Sequence, residues 1–383
     1  MTDTTQSAAH GSASSGRGDS RSHVAVVFGG VSSEHSISCL TAANVLAAMD
    51  PQRFSVVGIG ITKDGRWTRW SPAEIAGLPD QGELPEVTGE HPGAGLKRLD
   101  EGCFLVDNDG QAAEPVDVVF PLLHGPFGED GTIQGLFEMN GVRYVGCGVA
   151  ASANCMDKQL TKVVLSQAGI PVGPYAEILP HEWTQDRAGC LERIAELEYP
   201  LFIKPARGGS SVGISRVASS EGVEAAVEEA RRWDPKVIVE QGLTGREIEC
   251  SVLDGHHGQQ PRASLPGEII VHDPDGFYDF DAKYLTADTL ATVSVPADLD
   301  QATTEKVQQT AVRAFQALGC EGLARVDCFV TAEGEVLVNE PNTLPGFTKT
   351  SGYPLMWQAS GFSYRDLVTE LLDLALERPL GLR

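Results

Sequence analysis

Leu323-Ala-Arg-Val-Asp-Cys-Phe-Val-Thr-Ala-Glu-Gly-Glu-Val-Leu-Val-Asn-Glu-Pro-Asn342 is the stretch that organises the rest of the chain. Two apolar, β-branched runs flank Glu333-Gly334, a β-hairpin signal. With Glu333 and Gly334 as the central loop residues, facing residues have numbers with the same total as 333 and 334. Asp327 then faces Glu340, and Arg325 faces Asn342. Residues two apart on a strand share a face, so all four converge on one patch. Carboxylates directly opposite each other destabilise a sheet. Their juxtaposition makes sense if a divalent cation sits between them, since two carboxylates, an Asn oxygen and phosphate oxygens are ligands that Mg²⁺ takes. The plainer alternative is a solvated hairpin face with incidental charges.

Upstream, Phe202-Ile-Lys-Pro-Ala-Arg-Gly-Gly-Ser-Ser-Val-Gly213 reads as a strand that delivers Lys204 to a glycine-rich loop. Exposed backbone N–H groups and the Ser210 and Ser211 hydroxyls can wrap phosphate oxygens, and Lys204 adds a point charge. No Gly-Lys pair occurs anywhere, so this is not a Walker A loop. Gly209-Ser-Ser211-Val-Gly213 also fits the nucleophile elbow G-x-S-x-G. That elbow needs a helix directly after the serine, whereas Val212, Ile214 and Val217 read as a strand. A hydrolase using Ser211 is the different-class alternative. Gly146-Cys-Gly148-Val-Ala-Ala151 fits the dinucleotide fingerprint, but the acid expected about 20 residues on is displaced, and a turn between domains is the better reading.

The 383 residues predict two or three domains. Composition is that of a globular protein, with 42% hydrophobic and 21% charged residues. Twenty-nine Lys and Arg against 53 Asp and Glu give a net charge of −24, which argues against nucleic acid or anionic lipid as partner. No apolar run approaches the ~20 residues of a membrane span. The eight cysteines form no C-x-x-C pair, and residues 1–22 have no apolar signal region and should be disordered. The expectation is a cytoplasmic protein with reduced, buried thiols.

Strands at residues 23–28, 54–61 and 116–122, with helices at 36–49 and 132–139, predict a parallel α/β unit. It places Glu34 and His124 at the ligand-facing sheet edge. Residues 63–115 read as an irregular insertion. Further on come a helix at 156–168, strands at 200–204 and 237–240, helices at 219–233, 300–318 and 364–377, and the hairpin.

Seven motifs now stand in order: Gly29-Gly-Val-Ser-Ser-Glu34, Leu123-His-Gly-Pro-Phe-Gly-Glu-Asp-Gly131, Met156-Asp-Lys158, Lys204 to Gly213, Tyr278-Asp-Phe-Asp-Ala-Lys-Tyr284, Gly322-Leu-Ala-Arg-Val-Asp327 and Asn339-Glu-Pro-Asn-Thr-Leu-Pro-Gly346. Together they resemble the D-alanine–D-alanine ligase family of the ATP-grasp superfamily, from Val24 to the C-terminus. The resemblance implies an N-terminal α/β domain (23–150), then an ATP-grasp fold of two α+β domains (151–239 and 240–383), with a lid loop near 276–290. It implies an ATP-dependent, ADP- and phosphate-forming ligase for peptidoglycan precursors, with D-alanine and ATP as substrates, Mg²⁺ or Mn²⁺ as two ions, and a homodimer. A D-alanine–D-lactate ligase is the near alternative; Tyr284 favours the dipeptide.

By the same resemblance, Lys158, Lys204, Glu240 and Glu247 match adenosine and phosphate contacts. Ser210, Ser211 and Lys283 match groups around the transferred phosphoryl, and Asp327, Glu340 and Asn342 the metal ligands. Glu34 matches the holder of the first ammonium, in an array with Ser210 and Tyr284. Arg325 and the Gly346 N–H match the oxyanion stabilisers, and Ser351 the second substrate's carboxylate site. His124 lies at the substrate edge. Gly208 replaces an acid common in relatives, which predicts a more mobile loop, and Gln241 replaces a common lysine.

Overall fold

The computed structural model describes residues 20–81, 84–209, 212–271 and 291–381. The tail at residues 1–19, Ser210, Ser211 and the lid region with Lys283 and Tyr284 lie outside the described residues.

The chain begins with β1 (Ser22–Gly29), α1 (His35–Ala48), β2 (Phe54–Ile61), β3 (Trp67–Trp70) and a short α2 (Pro72–Ala76). Three short strands follow: β4 (Gly95–Leu99), β5 (Gly102–Val106) and β6 (Ala112–Val116). Next come β7 (Val118–Pro121), α3 (Thr132–Met139) and β8 (Arg143–Tyr144). The first sheet has the order β3-β2-β1-β7-β8 and is parallel except for β3. Strands β4, β5 and β6 form a separate antiparallel sheet. The single strand expected over 116–122 is therefore two strands in two sheets, separated at Asp117, which accepts the His23 N–H at 2.8 Å.

The expected helix 156–168 is α5 (Lys158–Gln167), and a helix the sequence reading missed, α4 (Val149–Met156), runs directly into it. Asp157 breaks them with a non-helical ψ of 98° and caps α5 by accepting the Leu160 N–H at 3.1 Å. Then follow β9 (Tyr175–Ile178), α6 (Glu182–Gln185), α7 (Arg187–Ala195), β10 (Leu201–Pro205), β11 (Ser215–Val217), α8 (Val223–Arg231) and β12 (Val237–Gln241). The helix expected over 219–233 starts as a 3₁₀ turn, Ser220–Gly222, before α8. The four strands form an antiparallel sheet, β11-β10-β12-β9.

The last sheet has the order β16-β15-β13-β17-β18, with β14 beside β13. Its elements are β13 (Arg246–Leu253), β14 (Arg262–Ala263), β15 (Gly267–Val271), β16 (Ala291–Ser294), α9 (Gln301–Ala317), β17 (Leu323–Val330) and β18 (Val336–Asn342). Residues Ile248, Cys250, Val252, Val326 and Val338 bury one sheet face with Val307, Ala311 and Phe315 of α9. The other face carries the alternate residues.

The final helices are α10 (Gly352–Ala359) and α11 (Tyr364–Glu377). Ser363 and Asp366 close a reciprocal capping box at the start of α11. Leu367, Leu371 and Leu374 then recur at helical spacing and pack in one core with Val24, Val26 and Val118 of the first sheet. Each such side chain buried contributes about 1.5–3 kcal/mol.

The hairpin refines the sequence reading. Its loop has three residues, 332–334, with the Thr331 N–H bonded to Glu335 O at 3.0 Å and Gly334 at φ +77°. A positive φ at that position is what such a loop requires of glycine. Pairs near the loop run Val330–Val336, Phe329–Leu337 and Cys328–Val338, one residue out from the two-residue turn expected. A β-bulge then absorbs Asn339, and the pairs Asp327–Glu340 and Arg325–Asn342 fall as the sequence predicts. Turn and bulge cancel.

Candidate active site

The second and third large sheets, with α1 and the loops beyond the first sheet, border one cavity of about 1170 Å³, and every described candidate residue lines it. Glu34 precedes α1 and His124 follows β7. Lys158 opens α5, Lys204 stands on β10 and Glu240 on β12. Glu247 comes from β13, Arg325 and Asp327 from β17, and Glu340 and Asn342 from β18, with Gly346 and Ser351 in the loop beyond. The Gly29-Gly30 turn sets Glu34 in place. Gly29 has φ +87°, and a Cβ there would lie 2.3 Å from Ile61 O, so no other residue fits.

Three acids form a row across neighbouring strands: Glu249 faces Asp327, which faces Glu340. Basic side chains sit among them. Arg325 grips Asp327 with two bonds, Nε to Oδ1 and Nη2 to Oδ2, both 2.7 Å. Its Nη2 is also 3.3 Å from Glu249 Oε1. Burial alone would weaken the Arg325 charge, but Asp327 and Glu249 hold its pKa well above the ordinary value. Asn342 Nδ2 donates to Asp327 Oδ2 at 2.9 Å. Lys158 Nζ donates to Gly208 O at 2.7 Å and lies 3.5 Å from Glu340 Oε2. The repulsion inferred from the sequence is thus partly relieved by the protein's own basic groups.

Deeper in the cavity, Glu240 sits between two lysines. Lys162 Nζ is 2.9 Å from its Oε1, and Lys204 Nζ donates to its Oε2. Burial would push the Glu240 carboxyl up; Lys204 and Lys162 outweigh it and hold the pKa at about 2. Lys204 keeps its proton for the converse reason, with Glu240 overcoming burial.

On the N-terminal side, His124 is 6% exposed. Its Nδ1 meets Leu344 O at 3.1 Å, and its Nε2 has no hydrogen-bond partner among the described residues. Beside it, Glu129 accepts the Gly125 N–H at 2.7 Å. Burial, then the neighbouring charge of Glu34, raises the Glu129 pKa to about 8, against the opposing Gly125 and Leu344 backbone groups. Ser351 Oγ accepts the Thr348 N–H at 3.1 Å, and a Cβ on Gly346 would stand 3.2 Å from that oxygen.

Two charged cavity residues, Lys162 and Glu249, escape the sequence reading, and Glu129 is quoted there only within the Leu123 to Gly131 motif. Strand β13 is also missed, although Ile248, Cys250 and Val252 alternate with Glu247, Glu249 and Ser251, a period-two signal that would have set Glu249 beside Asp327. Lys162 lies one helical turn after Lys158, which puts both on one face of α5. The elbow reading of Ser211 loses its support: residues 212–214 are turn and irregular backbone, and the next element is β11, paired with β10. The turn at Gly146 does lead into a helix, but the Arg378 guanidinium caps Gly146 O, in keeping with a structural turn.

Comparison with known proteins now adds a decisive observation. Residues 23–147 match the family described as D-ala D-ala ligase N-terminus, and residues 164–373 match D-ala D-ala ligase C-terminus. The chain belongs to the D-alanine–D-alanine ligase family. A D-alanine--D-alanine ligase of Kineococcus radiotolerans is 52% identical over 370 residues, covering 94% of this chain and 98% of the relative. One from Streptomyces coelicolor is 51% identical, covering 94% of each. Among solved structures, the D-alanine-D-alanine ligase from Coxiella burnetii superposes with a TM-score of 0.79 at 36% identity, covering 94% of both chains. The VanG D-Ala:D-Ser ligase from Enterococcus faecalis has the same TM-score at 35% identity, covering 93% of this chain and 99% of that one. Membership of the D-alanine–D-alanine ligase family carries with it the mixed α/β, multidomain ATP-grasp architecture.

Proposed function

We propose that this cavity joins two D-alanine molecules into D-alanyl-D-alanine while ATP becomes ADP and phosphate, a step in making peptidoglycan precursors. The observation that carries the reading is the hairpin register, which seats Arg325, Asp327, Glu340 and Asn342 in the same cavity as Lys204 and Glu34.

The chemistry explains the parts. A carboxylate is a poor electrophile, so the γ-phosphoryl of ATP moves to the first D-alanine's carboxylate and gives an acyl phosphate. In this reading Lys158, Lys204, Ser210, Ser211 and Lys283 hold the phosphates, Glu240 and Glu247 serve the nucleotide, and Glu34 holds the first ammonium, with Tyr284 and Ser210 in its array. The second D-alanine loses an ammonium proton, and its amine attacks the acyl carbon. Arg325 and the Gly346 N–H stabilise the tetrahedral oxyanion, Ser351 and His124 position substrate, and phosphate leaves as the peptide bond forms. Water must be kept from the acyl phosphate, which is the work assigned to the lid near 276–290.

The donor set suits a hard divalent cation. Asp327, Glu340 and Asn342 offer carboxylate and amide oxygens. Among the described residues no three His, Cys, Asp or Glu side chains form a self-sufficient metal site, so phosphate oxygens would complete the coordination. Mg²⁺ or Mn²⁺, two ions in this reading, would neutralise charge on the transferring phosphoryl group.

Among the described residues no helix is long and apolar enough to cross a membrane. All eight cysteines are free and buried, which supports a reducing compartment. We read the enzyme as cytoplasmic and, from its family, as a homodimer.

Likeness to a D-Ala:D-Ser ligase means that the scaffold alone does not select the second substrate. The test is phosphate release from ATP and Mg²⁺ with D-alanine, set against L-alanine, D-serine and D-lactate across pH. D-Alanine should give the highest turnover. Preferential ester formation near neutral pH would instead assign a depsipeptide ligase.

A further inference from the structure

The glycine-rich loop opens with Arg207, a guanidinium well placed in sequence to grip a phosphate. The structure turns it elsewhere. Asp234 Oδ2 accepts both the Arg207 backbone N–H and its Nε at 2.9 Å, and Oδ1 accepts Nη2 at 2.6 Å. Asp234 is 4% exposed, while half of the Arg207 side chain remains in solvent. Two residues on, Lys236 continues the same device. Its carbonyl accepts the Ala206 N–H at 2.9 Å, and its Nζ reaches both oxygens of Asp157 at 2.9 and 2.8 Å. Asp157 caps the helix that Lys158 opens. The Lys158 N–H donates to Ala206 O at 3.0 Å, and its Nζ donates to Gly208 O.

These bonds close a ring from Asp234 through Arg207, Ala206, Lys158, Asp157 and Lys236. Asp234, Arg207, Lys236 and Asp157 stand behind the cavity rather than on its wall, whereas Gly208, Gly209 and Lys158 line it. Buried ion pairs add little net stability over well-packed apolar residues, because desolvation offsets their attraction. Their effect here is geometric: the ring passes through Lys158 and the stem of the loop that carries Gly208, both of which face the proposed phosphate site.

We propose that Asp234 is a positioning residue for nucleotide phosphates, converting Arg207 from a phosphate ligand into the anchor of the glycine-rich loop. The inference rests on the cavity being the ATP site. The stem of the loop is held from behind by Asp234, while Gly208 brings no acid into the loop itself.

The experiment compares wild type, Asp234→Asn, Arg207→Gln and the double variant, each as the full chain, by equilibrium binding of ATP and of AMP with Mg²⁺. Each single variant should bind ATP about tenfold more weakly, the scale of one charge-assisted hydrogen bond. AMP, which lacks the β- and γ-phosphates, should bind as it does to wild type. The double variant should lose no more than Asp234→Asn alone, since Arg207→Gln removes the side-chain part of the same link and leaves the Arg207 backbone N–H on residue 234. KM for D-alanine should stay put. Unchanged ATP affinity, equal weakening for ATP and AMP, or additive losses in the double variant would each overturn the proposal. Arg207→Gln removes a half-exposed side chain, so it tests the idea even if Asp234→Asn fails to fold. Failure of the broader reading looks different: wild type itself would release no phosphate from ATP with D-alanine.

Discussion

Glu240→Gln is the most informative single change. In the folded protein its two oxygens meet Lys162 and Lys204, whose side chains are 3% and 14% exposed. Glutamine keeps the shape and removes the charge, so two buried ammonium groups are left facing each other. Breaking a buried pair in this way costs about 3–5 kcal/mol. With unfolding entropy near 2.1 cal/mol/K per residue, a chain of this length that unfolds as a unit should lose about 4–6 °C in Tm. Calorimetry without ligands provides the number. Lys162→Met in the Glu240→Gln background should then restore most of the loss, whereas Lys162→Met alone should destabilise by leaving the buried Glu240 Oε1 without the cation it meets in the folded protein. That change of sign is the diagnostic. If Lys162→Met lowers Tm equally in both backgrounds, the three side chains do not form an electrostatic unit and the reasoning fails. The pH dependence follows the same logic. Glu240 is depressed from 4.5 to about 2, so its contribution is complete above pH 4.5 and fades as pH falls towards 2.

Other outcomes follow from the geometry. Arg325→Lys keeps a charge but loses the two-pronged grip on Asp327; kcat should fall ~10²–10³-fold in a coupled ADP-release assay, and a loss below tenfold would remove Arg325 from the oxyanion role. Gly29→Ala forces a Cβ against Ile61 O at a positive φ, so chemical denaturation should show a loss of at least about 1–3 kcal/mol; a neutral result would mean the turn can relax. His256 places Nδ1 2.7 Å from Glu377 and Nε2 3.2 Å from Glu370. Burial lowers its pKa, but the two carboxylates win and raise it above 6.5. Its stabilisation is therefore full below pH 6.5 and lost as pH rises through the raised value. The Tm gap between wild type and His256→Gln should be wider at pH 6 than at pH 9, and an equal gap would show that the imidazolium contributes nothing.

Where a motif and a period coincide, the sequence was readable. Strands β2 and β17, and helices α3 and α11, match their expected spans, and α11 does so where its helical spacing starts at the Ser363 capping box. Helix α4 was missed because Val149 to Ala151 were read with the Gly146-Cys-Gly148 turn, and Asp157 leaves the helix only to cap α5. The hairpin register at the site came out right through two compensating features, a longer turn and a bulge at Asn339, neither encoded in simple alternation. Glu247 came only through family likeness, although the alternation of β13 was there to be used. Lys162 lies in no motif, and Glu129 sits inside the Leu123 to Gly131 motif without being singled out, because the importance of both arises from burial beside charges that are distant in sequence. Ion pairs such as Arg207–Asp234 are tertiary facts for the same reason.

Helix α11 covers a sheet whose last strand ends about 220 residues earlier, at Tyr144. During synthesis that sheet emerges from the ribosome long before its roof exists. Helix α1, which shares this core through Cys39, Ala42 and Val45, covers part of that face early, and Leu367, Leu371 and Leu374 complete the cover only at the end. Completion of the amino-terminal core is thereby tied to the far end of the polypeptide.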